Sequence, residues 1–178
     1  MKREFIEPKN TDVELAYFAG IVDGEGSITI SDCSASQGKM HFVTQFSLSS
    51  TDLVLIEWTV NHFGGKYKKY TPAQLSVKSR KNVYKYSATG PRLEYILKAV
   101  MPYLIIKKHE AKIMLKMRET FKREHRVYLK QKNNNTCYPK LKEGILEIRL
   151  NCIAELKKLH CRNYNTYSGS HSFKKNKN

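Results

Sequence analysis

The chain has 178 residues, enough for one domain with a real hydrophobic core and too few for a multidomain enzyme. Its 32 Lys and Arg face 16 Asp and Glu, and the formal charge of +16 opposes compaction unless a polyanion offsets it. Nucleic acid is the leading partner; a basic ribosomal-type accessory protein and an anionic membrane surface are the alternatives that charge alone leaves standing.

Residues 1–10 carry charges with no apolar run behind them, and no later stretch approaches the roughly 18 apolar residues of a bilayer span. A soluble, intracellular protein is expected, in an organelle (mitochondrion or chloroplast) or a prokaryotic cytoplasm; the Lys- and Asn-rich composition hints at an A+T-biased genome. Cys33, Cys137, Cys152 and Cys161 have no Cys-x-x-Cys spacing and read as free thiols in a reducing compartment. The spacings of His160, Cys161 and His171 fit no zinc template.

Residues 11–22, Thr-Asp-Val-Glu-Leu-Ala-Tyr-Phe-Ala-Gly-Ile-Val, open with capping residues and continue almost wholly apolar, which predicts a buried helix. Asp23-Gly-Glu-Gly26 is expected to stop it, because two glycines at alternate positions permit a tight turn. Residues 27–31 alternate, as do residues 42–49, where Phe42, Thr44, Phe46 and Leu48 share one face. Both read as half-buried strands joined by a Ser-rich hairpin loop over residues 32–39.

A second helix follows Thr51-Asp52 with Leu53, Ile56, Val60 and Phe63 at helical spacing, closed by Gly64-Gly65. Residues 66–70, 75–77 and 83–87 read as further strands. Gly90-Pro91 is expected to break the pattern before a helix over residues 93–100, which Pro102 ends. A longer helix is expected over residues 107–125, carrying Ile113, Leu115 and Met117 among many charges, then an Asn-rich connection, then a helix over residues 141–159. Residues 162–178 are too poor in aliphatic side chains to offset ordering entropy and read as a disordered basic tail.

This order gives an α+β fold with a mainly antiparallel sheet, one face apolar and packed on helices, the other lined by Ser, Thr, Gln and Lys. A basic outer face of that kind suits strands that read a DNA groove. The division expected is an N-terminal arm over residues 1–12, a core over 13–125, a C-terminal helical extension over 126–161 and the tail.

Two of only sixteen acids, Asp23 and Glu25, interrupt an apolar helix at its C-terminal end, where the helix dipole disfavours a carboxylate by about 0.3–1 kcal/mol. A divalent metal bound by carboxylate and carbonyl oxygens would compensate. Hydrogen bonds from backbone amides to the acids of a turn would do so equally. Ala16, Ala19 and Gly20 are small enough for a second helix to approach closely, or they are ordinary core filler.

Phe18-Ala-Gly-Ile-Val-Asp-Gly-Glu-Gly26 resembles the LAGLIDADG motif of homing endonucleases. Thr51-Asp-Leu-Val-Leu-Ile-Glu with Phe63-Gly-Gly65, then Val83-Tyr-Lys-Tyr86, then Met101-Pro-Tyr-Leu-Ile-Ile-Lys-Lys-His-Glu-Ala111, extend the similarity in order and spacing over about residues 13–120. The resemblance implies an αββαββα core with a four-stranded DNA-binding sheet. It implies metal-assisted phosphodiester hydrolysis on double-stranded DNA, with Mg²⁺ as the usual ion and Mn²⁺ or Ca²⁺ able to occupy its site. One motif and no internal repeat imply a homodimer on a long pseudo-palindromic target, each copy supplying half a site.

By position Glu25 corresponds to the family's metal-binding acid, with the Gly24 carbonyl as a second ligand, and Phe18, Ala19 and Gly20 to its dimer helix. Lys107 falls where the family carries a basic residue near the active site, with Lys108 as its neighbour and alternative. Ser50 stands where some relatives have a Gln that contacts catalytic water, and His160-Cys-Arg-Asn163 does not clearly match the family's usual polar partners. Thr29, Ser31, Gln45, Ser47, Ser49, Lys69, Thr71 and Lys85 are the expected base-reading positions on the sheet. Lys66, Lys68, Lys78, Arg80 and Lys81 are the expected phosphate contacts. Two alternatives belong to the same fold: an intron maturase that binds its own intron RNA, and a non-catalytic DNA-binding regulator.

Overall fold

A computed structural model describes residues 7–32, 42–74, 81–122, 126–131 and 134–165, with the side chains of residues 74, 126–131, 134–140 and 162–165 excepted. The expected strand at residues 75–77, Lys78, Arg80 and the tail beyond 165 lie outside them. Helix α1 (Asp12–Glu25) leads into β1 (Gly26–Asp32), β2 (Phe42–Ser50), α2 (Leu53–Phe63), β3 (Tyr67–Tyr70), β4 (Val83–Ala88), α3 (Gly90–Val100) and α4 (Lys108–Glu119). The hairpin β5 (Arg126–Gln131) and β6 (Asn134–Leu141) and the helix α5 (Ile145–Asn165) complete it.

The first four strands form one antiparallel sheet in the order β1-β2-β4-β3. Cross-strand rows fix its faces. Ile28, Phe46 and Ala88 make one row and Gly26, Leu48, Tyr86 and Tyr67 another, both on the helix side. Phe42, Thr44, Phe46 and Leu48 are all buried, as their alternation requires. Each fully buried apolar side chain here contributes roughly 1.5–3 kcal/mol.

The core has two parts. Phe18, Ile28, Phe46, Ile56, Phe63 and Leu97 belong to a cluster between the sheet and α1, α2 and α3, with the Phe18 and Phe63 rings stacked at 4.2 Å. A smaller cluster joins Phe42, Ile113 and Met117 to Cys152, Ile153 and Leu156 of α5, and Ile30 packs against both. There the buried Arg149 donates to the Thr120 carbonyl at 2.7 Å and to its hydroxyl at 2.9 Å, while its guanidinium lies over the Phe121 ring.

Several sequence expectations are corrected. Asp23-Gly-Glu does not stop α1: the helix runs through it, with the Asp23 carboxylate held by the amides of residues 105–107, and Gly26 caps the end in an extended conformation. Nor is α1 buried all round, since only Phe18, Ala19 and Val22 are covered while Val13 and Tyr17 stay 79% and 57% exposed. Gly90-Pro91 begins α3 rather than preceding it, proline being tolerated in a first turn whose amides need no intrahelical partner. Helix α4 covers Lys108–Glu119 and does not reach residue 125, and it buries Glu110, Ala111, Ile113, Met114 and Met117. The Asn-rich connection forms the β5–β6 hairpin, and α5 starts at Ile145 and runs to Asn165, past the expected start of the tail.

Candidate active site and nucleic-acid interface

The two acids at the end of α1 have separate roles. The Asp23 carboxylate accepts the backbone N–H groups of Ile105 at 2.8 Å, Ile106 at 3.1 Å and Lys107 at 2.8 Å, just ahead of α4. It thus stands at the favourable, positive end of one helix while ending another. Burial pushes its pKa up, but the hydrogen bonds from Lys107, Ile105 and Ile106, with the Lys107 charge, outweigh this and hold it below the usual carboxylate range.

The last turn of α1 contains no basic residue, and Lys107 supplies the missing cation: its ammonium donates to the Asp23 carbonyl at 2.5 Å. The Val22 carbonyl accepts the Gly26 N–H. Gly24 comes next among the terminal carbonyls that a helix leaves without an intrahelical partner, beside the exposed Glu25.

Glu25 shares a cleft of about 370 Å³ with Ser49, Ser50, Thr51 and Val83. The Ser50 hydroxyl accepts the Asp52 N–H at 3.0 Å, so its lone pair is partly used in starting α2 while its own proton remains free to be donated. Lys107 reaches the end of α1, and Lys108 is exposed. An exposed carboxylate beside an exposed carbonyl suits a hard divalent ion. Among the described residues no group of three or more His, Cys, Asp or Glu could hold a metal.

The outer face of the sheet carries Thr29 beside Gln45, Ser47 between Ser27 and Ser87, and Ser49 beside Lys85 and Lys68. Ser31 continues that face along β1. Lys69 does not belong to it: β3 begins at Tyr67, so Lys69 pairs with Tyr84, in the row of Ser50, on the opposite face. Tyr70 takes the outward place. Lys66, Thr71 and Lys81 lie just beyond strand ends and are exposed.

For the dimer helix, Phe18 and Ala19 are corrected, because both are fully buried in this chain's own core. The open face is Val13, Ala16, Tyr17, Gly20 and Gly24, with nothing within 4 Å of a Cβ added at either glycine. Arg92, which sequence reasoning missed, lines a second hollow on the outer face of the sheet. Its position in a helix gave no strand alternation by which to find it.

No protein-family model matches the sequence, and no curated protein is similar to it. Solved structures are. The homing endonuclease I-CvuI, in complex with its target in the presence of 2 mM Ca, aligns with a TM-score of 0.61 at 16% identity over 83% of this chain and 82% of that one. I-Vdi141I, an archaeal intron-encoded homing endonuclease complexed with DNA, gives 0.60 at 17% identity over 93% and 90%. The I-SmaMI LAGLIDADG homing endonuclease bound to cleaved DNA gives 0.52 at 19% identity, over 97% of this chain but 54% of that one. This chain has the LAGLIDADG homing-endonuclease fold, in a single copy.

Proposed function

We propose that the chain is a site-specific double-strand DNA endonuclease of the homing type, acting as a homodimer on a long pseudo-palindromic target with Mg²⁺. The observation that carries this reading is Glu25: an exposed carboxylate at the end of a helix whose open face includes Ala16, Gly20 and Gly24. Half a site beside a surface that accepts another helix is the arrangement a two-fold dimer completes.

In the proposed site Glu25 and the Gly24 carbonyl hold the divalent ion, which supplies Lewis acidity and lowers the pKa of water. Glu25 from each copy binds near a scissile phosphate. Lys107, fixed at the Asp23 carbonyl, places a positive charge at the helix end, and Ser50 offers a hydroxyl to solvent in the cleft it shares with Glu25. Strand residues Thr29, Gln45, Ser47, Ser49 and Lys85 meet base edges, where Gln and Lys discriminate and Ser and Thr tolerate substitution.

The test joins the DNA flanks of the reading frame as though the insertion were absent and incubates that duplex with protein in Mg²⁺ and in EDTA. Cutting at a defined position only with Mg²⁺ is expected, and its loss with retained binding in Glu25→Gln. Mg²⁺-dependent cutting by purified Glu25→Gln would refute the assignment of Glu25. Binding of intron RNA in preference to the duplex, without cutting, would favour a maturase.

A further inference from the structure

The groove of about 620 Å³ on the outer face of the sheet, at its β3 edge, is lined among the described residues by Lys66, Lys68, Lys85 and Arg92 together with Gln45 and Tyr70. Four cationic side chains around one hollow give it a positive potential that attracts an anion.

Arg92 is held differently from the lysines. It belongs to the first turn of α3, and its guanidinium lies against Gly64 and Gly65, which close α2 with φ of 68° and 101°. A Cβ added at Gly65 would stand 3.2 Å from Arg92 Nη1, and one added at Gly64 would stand 3.7 Å from Nη2. The shelf is fixed from beneath, since the buried Tyr86 donates its hydroxyl to the Gly64 carbonyl at 3.0 Å. A lysine ammonium is a point charge on a flexible stem, whereas a guanidinium seated on a fixed surface presents an oriented fork that matches phosphate.

We propose that Arg92 is an anchoring phosphate contact for duplex DNA, preorganised on the Gly64–Gly65 shelf, with Lys66 and Lys68 following the same backbone. This rests on the endonuclease reading and adds to it a residue and a place. The hollow extends to Gln45 and Ser87, whereas the Glu25 cleft lies by Ser49 and Ser50, so Arg92 fixes the DNA several residues along the strands from Glu25. Duplex is favoured over single strands because the outward rows carry Ser, Thr, Gln and Lys rather than a platform of aromatic rings for unpaired bases.

Binding is measured by fluorescence anisotropy in EDTA over a range of salt concentrations, on the joined-flank duplex and on a duplex of unrelated sequence. Arg92→Ala is compared with Arg92→Gln, which keeps most of the packed stem, and with Lys98→Ala, a control charge deletion on the exposed side of α3. Circular dichroism establishes that each variant is folded. Both Arg92 variants are expected to bind either duplex about tenfold more weakly and to lower the salt slope by about one, with Lys98→Ala unchanged. An unchanged slope in both Arg92 variants, while the unaltered chain binds, overturns the Arg92 assignment and leaves the endonuclease reading intact. No duplex binding by the unaltered chain, or preference for a structured RNA over both duplexes, overturns both.

Discussion

Lys107 and Asp23 clasp each other twice: the lysine ammonium donates to the aspartate carbonyl at 2.5 Å, and the aspartate carboxylate accepts the lysine backbone N–H at 2.8 Å. The end of α1 is thereby tied to the start of α4 through residues more than eighty positions apart. Glu25, two residues on, is left on a rigid support.

Removing the carboxylate tests that clasp. Asp23→Asn keeps one acceptor but sets a side-chain amide donor against backbone N–H groups, and it is expected to cost about 1–3 kcal/mol near neutral pH, lowering Tm by about 2–4 °C per kcal/mol. Because the folded Asp23 pKa lies below its ordinary value of 3.8, the native contribution is complete well above pH 3.8 and is lost as pH falls through the folded value. The Tm difference between native and variant chains should narrow in acid; a difference independent of pH would contradict the role given to the charge.

Lys107→Met separates support from chemistry. Loss of a cation and a hydrogen bond at a helix C-terminus is expected to cost about 1–2 kcal/mol. Single-turnover cutting at saturating protein should fall about a hundredfold if the ammonium also stabilises charge at the phosphate. A fall in Tm with an unchanged rate would confine Lys107 to the helix end.

Gly20 faces open space, so a larger side chain there harms nothing within one copy. Gly20→Leu should retain the fold, and helix propensity even gains roughly 1 kcal/mol. Sedimentation should then show a monomer where the native chain shows a dimer, and cutting should disappear. A dimeric Gly20→Leu would mean that copies associate through another surface.

Gly65 combines a φ of 101° with a tight surrounding: an added Cβ would meet Arg92 at 3.2 Å and Tyr86 at 3.3 Å. Gly65→Ala is therefore expected to lose about 1–3 kcal/mol, read by urea denaturation. Stability equal to the native chain would show that the shelf yields easily.

Local periodicity made much of this legible. The Phe42, Thr44, Phe46 and Leu48 alternation names the buried side of β2 directly, and the spacing of Ile56 and Phe63 with the glycine pair beyond them gives α2 and its end. The continuation of α1 through Asp23-Gly-Glu was hidden because the compensating groups come from residues 105–107, which no local pattern reveals. Lys69 was misplaced because lysines occupy both phases of Tyr-Lys-Lys-Tyr, so composition carries no information about which faces outward. The β5–β6 hairpin lies in a polar stretch whose asparagines read as connection, and its pairing is visible only as register.

The packing of Ile30 against two clusters has a consequence for how such a molecule changes over generations. The far end of the first hairpin, where Asp32 pairs with Phe42, rests on the cluster that includes α5, whereas Glu25 rests on α1 and its clasp to Lys107. Substitutions on α5 can tilt the outer face of the sheet while the helix end stays in place. On the proposed endonuclease reading, recognition of a drifting target and competence at the phosphate are thus adjustable by separate mutations, and a lineage would follow its DNA site without rebuilding its chemistry.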